Sequence, residues 1–196
     1  MPALLPLAAG ALAALVATNI AQNGGKSHPA PSVKTMDDAL KLKTKADFVA
    51  AWRAGSVPVD YQDASYDGYL LTLGVLAPVT GLITNVFFGP FASWRGKLFG
   101  KGGSAGCNRF GETGQLHRRG FAAGIAKSHL DGGEALVLDY SDAKCGDALW
   151  GRALFMRDEL RQVAPGVLLG LGSMGVTGGM WNCAPFVLVQ VKESDA

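Results

Sequence analysis

The densest run of chemically capable side chains is Arg157-Asp158-Glu159-Leu160-Arg161. In a strand, neighbours alternate between faces, so Arg157, Glu159 and Arg161 would share one side. If that side lines a barrel, Arg157 or Arg161 could bind the acidic head group of a ligand. On a solvated strand the same residues are an ordinary charged face. Asp139-Tyr140-Ser141-Asp142 sets two carboxylates at the end of an apolar run. Acid–base hydrolysis uses such pairs, and so do plain strand-end turns. Gly170 to Gly175 matches G-x-G-x-x-G. A dinucleotide site needs a helix next and an acidic residue about 20 positions on. Val176-Thr177-Gly178-Gly179 follows instead, so a β-turn is expected. Gly100 to Ser104 has the composition of a phosphate loop without its order, and a plain loop is expected. Cys107, Cys145 and Cys183, with His28, His117 and His129, lack the spacing of a zinc knuckle. No metal and no cofactor is expected. A Cys145 nucleophile with His117 or His129 as base would require the fold to bring them together.

These residues sit on a pattern of short strands. The sequence predicts strands at 69–73, 94–99, 135–140, 167–171 and 185–191, with a strand edge near Leu116. Residues 121–129 are ambiguous, and 154–163 reads as a strand pair or as one helix. Asp131-Gly132 is a hairpin signal, and Ala164-Pro165-Gly166 turns the chain. Such spacing points to a meander closing into a small antiparallel barrel or half-barrel. Two short helices precede it. Thr35 caps one that carries Asp37 and Asp38 in its first turn. The other runs from about Thr44 to Ala54, with Phe48, Ala51 and Trp52 on one face and Gly55 as terminator.

Composition bounds the function. The chain has 196 residues, 17% charged, with a net charge of +2. That is one domain's worth, without the basic excess of a nucleic-acid binder. Charge is absent from residues 1–25 and from 68–94. Ala3 to Ala21 is 19 residues long, close to the roughly 20 that span a bilayer. It is read as a membrane anchor over 1–23, against a cleaved targeting segment or a buried helix. Gly10 and Ala14 suit contact with other subunits in lipid. A linker follows at 24–34, then one globular domain over 35–196 with an apolar insert at 74–92. Residues 95–131 hold seven basic and two acidic side chains. Trp94, Arg95, Lys97 and Lys101 are therefore candidates for a membrane interface. A normal soluble surface is the alternative.

Trp94-Arg95-Gly96-Lys97-Leu98-Phe99, preceded by an apolar stretch, resembles the bacterial GXWXG family with its companion C-terminal domain of unknown function. Asp67-Gly68-Tyr69, Ala135–Tyr140 and Arg157-Asp158-Glu159 followed by Val167–Leu171 extend the resemblance over about 60–191. Tyr69 stands where that signature has Trp, and no second Gly follows it. The resemblance implies a calycin-like small β-barrel and no activity. The expected fold is thus α+β, mainly β: a lipocalin-like barrel with N-terminal helices and one hydrophobic transmembrane helix. The expected function is a non-enzymatic, membrane-associated barrel for a lipid, fatty acid or pigment, or one that docks on a membrane complex. Tyr69, Trp94, Phe99, Arg157 and Arg161 are the ligand-binding candidates, and membrane lipid is the expected partner. A structural accessory subunit, and a small enzyme on a lipid-like substrate using Asp139, Arg157 or His129, are the alternatives.

Overall fold

The computed structural model describes residues 29–71, 73, 93–141 and 149–191. The expected anchor at 1–23 and the apolar insert at 74–92 lie outside the described residues. No helix among the described residues is long and apolar enough to cross a membrane.

Two helices lead into eight strands. Helix α1 spans Met36–Leu40 and α2 spans Lys45–Ala54. Thr35 Oγ1 accepts from Asp38 N at 3.2 Å, and Thr35 N donates to Asp38 Oδ2 at 3.1 Å, a reciprocal cap. Thr44 Oγ1 accepts from Asp47 N in the same way. Gly55 does end α2, for a different reason than expected. Its φ is −72°, extended and not left-handed. A Cβ there would lie 2.9 Å from the Gln162 carbonyl oxygen, so glycine is needed to let the helix end approach the sheet.

The strands are β1 (Ser65–Leu70), β2 (Trp94–Phe99), β3 (Ala105–Phe110), β4 (Leu116–Lys127), β5 (Glu134–Asp139), β6 (Met156–Ala164), β7 (Val167–Met174) and β8 (Ala184–Gln190). A short helix α3, Leu149–Leu154, precedes β6, and two 3-10 turns separate β7 from β8. Each strand pairs antiparallel with the next, and β1 pairs with β8, so the sheet closes into a barrel. Residues 121–127 of the ambiguous 121–129 stretch complete β4, and of the 154–163 run Leu154 ends α3 while 156–163 lie in β6 as one strand. The G-x-G-x-x-G run is not a turn. Gly170 and Gly172 lie inside β7, where a Cβ on Gly170 would meet the Phe186 ring at 2.2 Å. The missing side chain makes room for an interior aromatic.

Two apolar cores result. One fills the barrel and includes Tyr66, Phe99, Phe121, Leu136, Leu138 and Leu160. The other lies outside it, where Phe48, Val49 and Trp52 of α2 cover Leu169, Leu171 and Val187. Both faces of β6 are therefore buried. Residues 158 and 160 point into the barrel, while Glu159 and Arg161 lie under the helix layer. The Arg161 guanidinium stacks 4.0 Å from the centre of the Trp52 ring. It also grips Asp131 through two N–H groups at 2.8 and 2.9 Å, joining the β4–β5 turn to the helix layer. This fork is planar, bidentate and stacked, so lysine is a poor replacement.

Removing the Arg161 side chain strands Asp131 in a half-desolvated turn, and Arg161→Ala is expected to cost about 3 kcal/mol in a urea melt. Burial opposes the Asp131 charge, but Arg161 and the Gly133 N–H overcome it and hold the carboxyl below its ordinary range. A depressed folded pKa gives stability that is present above the unfolded aspartate range and lost as pH falls through the folded value. Asp131→Asn should therefore flatten the acid limb of the stability curve below about pH 4. An acid limb as steep as the wild type's would remove Asp131 from the account. Gly170→Val should destabilise by about 2 kcal/mol through overpacking, and Phe186→Leu in the same chain should restore part of that loss.

Candidate functional site

Strand β2 sets the site by breaking its own alternation. A regular strand would place Trp94 on one face and Lys97 and Phe99 on the other. The register shifts between Trp94 and Gly96, which inserts one residue and turns Trp94, Lys97 and Phe99 all inward. Gly96 carries this bulge at φ +142°, and a Cβ there would strike the Tyr66 carbonyl oxygen at 1.9 Å. The spacing Trp-x-Gly-Lys-x-Phe is thus a bulge signature. A second shift lies between Cys107 and Asn108 opposite Arg119, whose φ is +50°. It presents the Arg119 carbonyl to Asn108 Nδ2 at 2.9 Å.

Inside the barrel these devices gather a polar cluster. Lys97 is 2% exposed and Asn108 is fully buried. Lys97 Nζ lies 2.8 Å from Asp158 Oδ2 and donates to Asn108 Oδ1 at 2.9 Å and to the Tyr140 hydroxyl at 2.6 Å. Tyr140 in turn donates to Asp158 Oδ2 at 2.7 Å. Trp94 Nε1 donates to Asn108 Oδ1 at 3.0 Å. The Lys97 ammonium also sits 5.3 to 5.7 Å from the ring centres of Trp94, Phe121, Tyr140 and Phe186, within cation–π range. Burial pulls the Lys97 pKa down, and the Asp158 carboxylate opposes that pull. Burial, reinforced by the Asp158 charge, pushes the Tyr140 phenol well above its ordinary value. Tyr140 therefore remains a donor to Asp158.

Above the cluster a cavity of about 50 Å³ opens toward one end of the barrel. Leu70, Trp94, Met156, Met174, Ala184 and Phe186 form its apolar wall, with Lys97, Asn108 and Asp158 at its polar side. At the opposite end Tyr61 packs edge-on against Phe99 at 5.3 Å. The barrel is filled at that end.

The expected site residues divide. Trp94 lines the cavity and Phe99 lies in the core beneath it. Tyr69 is 38% exposed and lines an outer groove with Arg95 and Arg109. Arg157 and Arg161 do not reach the interior, because the register gives the inward position to Asp158. Arg157 bonds Glu159 Oε1 at 2.9 Å on the outer face, where His129 N bonds the same oxygen. Lys97 is not a surface residue and cannot meet a membrane interface, whereas Arg95 and Lys101 are exposed. Asp139 is exposed and accepts from Ser141 N and Oγ, as a turn residue does. Among the described residues no His, Cys, Asp and Glu group has the geometry of a metal site. Cys107 is disulfide-bonded and Cys183 is free and buried; Cys145 lies outside the described residues. Sequence reasoning missed Asn108, Tyr140 and Asp158 as partners of Lys97. The signal that could have found them is the glycine two residues beyond Trp94, which marks the bulge.

No family model matches the chain, and no curated protein matches it in sequence. Among solved structures the chain is similar to the crystal structure of a protein from Thermomonospora curvata, at 18% identity over 72% of this chain and 83% of that one, with a TM-score of 0.45.

Lys97 and Asp158 form an ion pair inside the barrel. Lys97→Met alone leaves a buried carboxylate unpaired and should cost about 3–5 kcal/mol. Lys97→Met with Asp158→Leu should recover most of that loss. Equal stability for wild type and Lys97→Met would show that the pair does not hold the interior together.

Proposed function

We propose that the protein is a carrier barrel that holds a small, mostly apolar molecule by its narrow end, without covalent chemistry. The observation that carries this reading is the mouth cavity: apolar on most of its wall, with one convergent polar side. That is the composition of small-molecule sites in general. An eight-stranded barrel is wide enough to hold one small ligand besides its own side chains. The polar cluster favours holding over turnover. All three Lys97 hydrogens, the Tyr140 hydroxyl and both Asn108 amide atoms have partners within the protein. Groups locked in this way orient a ligand more readily than they exchange protons.

The rim supports entry of an apolar body. Leu70, Leu116, Phe155 and Val176, exposed between 42% and 68%, stand at the strand ends and turns around the mouth. The described residues that flank the uncharged 74–92 stretch are Leu73, packed on the outer core, and Ser93, next to Trp94. Together with the uncharged Ala3–Ala21 stretch, the rim favours a source of ligand in membrane lipid. The resemblance to the GXWXG family implies no activity, so the proposal rests on the cavity.

Native mass spectrometry after incubation with medium-chain alcohols and acids tests the proposal. One adduct per chain is expected for the wild type. Ala184→Leu places three extra carbons in the cavity and should abolish the adduct while the melting temperature moves by only a few degrees. An adduct that survives Ala184→Leu would place the ligand elsewhere, and a mass change in the ligand itself would favour the enzyme reading.

A further inference from the structure

We propose that the ligand is a neutral molecule whose hydroxyl group donates a hydrogen bond to Asp158 Oδ1, an inference that rests on the carrier reading and deepens it. Most polar atoms of the cluster already have partners within the protein. Lys97 directs its three donors to Asp158 Oδ2, Asn108 Oδ1 and the Tyr140 oxygen. Asn108 Oδ1 accepts from Lys97 and Trp94, and its Nδ2 reaches the Arg119 carbonyl and Tyr140. The Tyr140 hydroxyl accepts twice and donates once. Ser173, also at the cavity wall, donates to the Arg157 carbonyl. Asp158 uses only Oδ2.

Its second oxygen, Oδ1, has no hydrogen bond to any described residue and stands beside Gly172, 3.1 Å from where a Cβ would be. Both residues line the cavity. Among these groups the polar side of the cavity therefore offers no open donor, and its open acceptors are the charged Asp158 Oδ1 and, more weakly, the neutral Ser173 hydroxyl oxygen. A ligand matched to it brings a donor.

Charge narrows the class further. Among the described residues that line the cavity one ammonium faces one carboxylate, and the two charges cancel. A carboxylate ligand would add a second negative charge next to Asp158, with no N–H left to receive it, and an uncompensated buried charge is costly. An ammonium ligand would add a second positive charge beside Lys97, which already occupies the faces of Trp94 and Phe186. A neutral alcohol meets neither penalty. Its hydroxyl reaches Asp158, and its carbon chain runs between Met156, Met174, Ala184 and Phe186 toward the rim.

Calorimetric titration of the full chain with 1-octanol, octanoate and octylamine at neutral pH decides the matter, since the three share one chain and differ in the head. The alcohol is expected to bind roughly tenfold or more tightly than either ion. Gly172→Ala sets a methyl group against Asp158 Oδ1 and should weaken the alcohol about fivefold, with the thermal melt as the control for folding. Tighter binding of octanoate or octylamine overturns the inference and leaves the carrier reading standing. Binding of none of the three overturns both. Alcohol binding unaffected by Gly172→Ala in a folded protein overturns the assignment of the hydroxyl to Asp158.

Discussion

The interior of this barrel is organised around one buried ion pair. An ammonium taken out of water is costly, and a protein keeps one only where a counter-charge and hydrogen bonds replace its hydration. Lys97 has both: Asp158 at 2.8 Å, and oxygens of Asn108 and Tyr140 at the remaining hydrogens. Four strands must hold register for this to happen, because the partners come from β2, β3, β6 and the residue that follows β5. A slip of one residue in any of them would send its polar group to the other face. Such a pair is weak evidence for stability, but it restricts which registers the barrel can adopt.

The two bulges belong to the same constraint. Without the extra residue in β2, Lys97 and Trp94 would lie on opposite faces and the indole could not bond Asn108. Without the one at Arg119, the amide of Asn108 would lack its carbonyl acceptor. Glycine serves the interior as well, by leaving volume for Phe186 at Gly170 and space beside Asp158 at Gly172. The cavity is what remains at the mouth once these groups are packed.

Much of the architecture was legible in the sequence. The cap at Thr35, the start of a helix near Thr44, the hairpin at Asp131-Gly132 and the strands at 94–99 and 135–140 follow from local residue chemistry. The spacing of strands and turns leaves a barrel or a half-barrel open, and the pairing of β1 with β8 closes it. The candidate site was legible only in part. Trp94 and Phe99 stand out because an aromatic in a strand is conspicuous, but only Trp94 lines the cavity and Phe99 is packed in the core. Lys97 was read as a surface cation because strict alternation hides the effect of a bulge. Arg157 and Arg161 were preferred to Asp158 because either face of β6 reads as the interior one. The helix layer buries the outer face and the barrel buries the inner, so Arg-Asp-Glu-Leu-Arg carries charge on both and periodicity cannot tell them apart. The cluster joins positions 97, 108, 140 and 158, and no local pattern links residues so far apart.

The central claim is that the mouth cavity, with Asp158 at its polar side, is where a ligand sits. Carbon-13 labelling of the methionine methyl groups tests it most directly by NMR, since Met156 and Met174 line the cavity while Met36 lies on α1 and Met180, in the turn between β7 and β8, packs into the core outside the barrel. Titration with a medium-chain alcohol should shift the Met156 and Met174 methyl signals in a saturable way and leave Met36 and Met180 in place. Saturable shifts confined to Met36 or Met180, or none at all, would contradict the account.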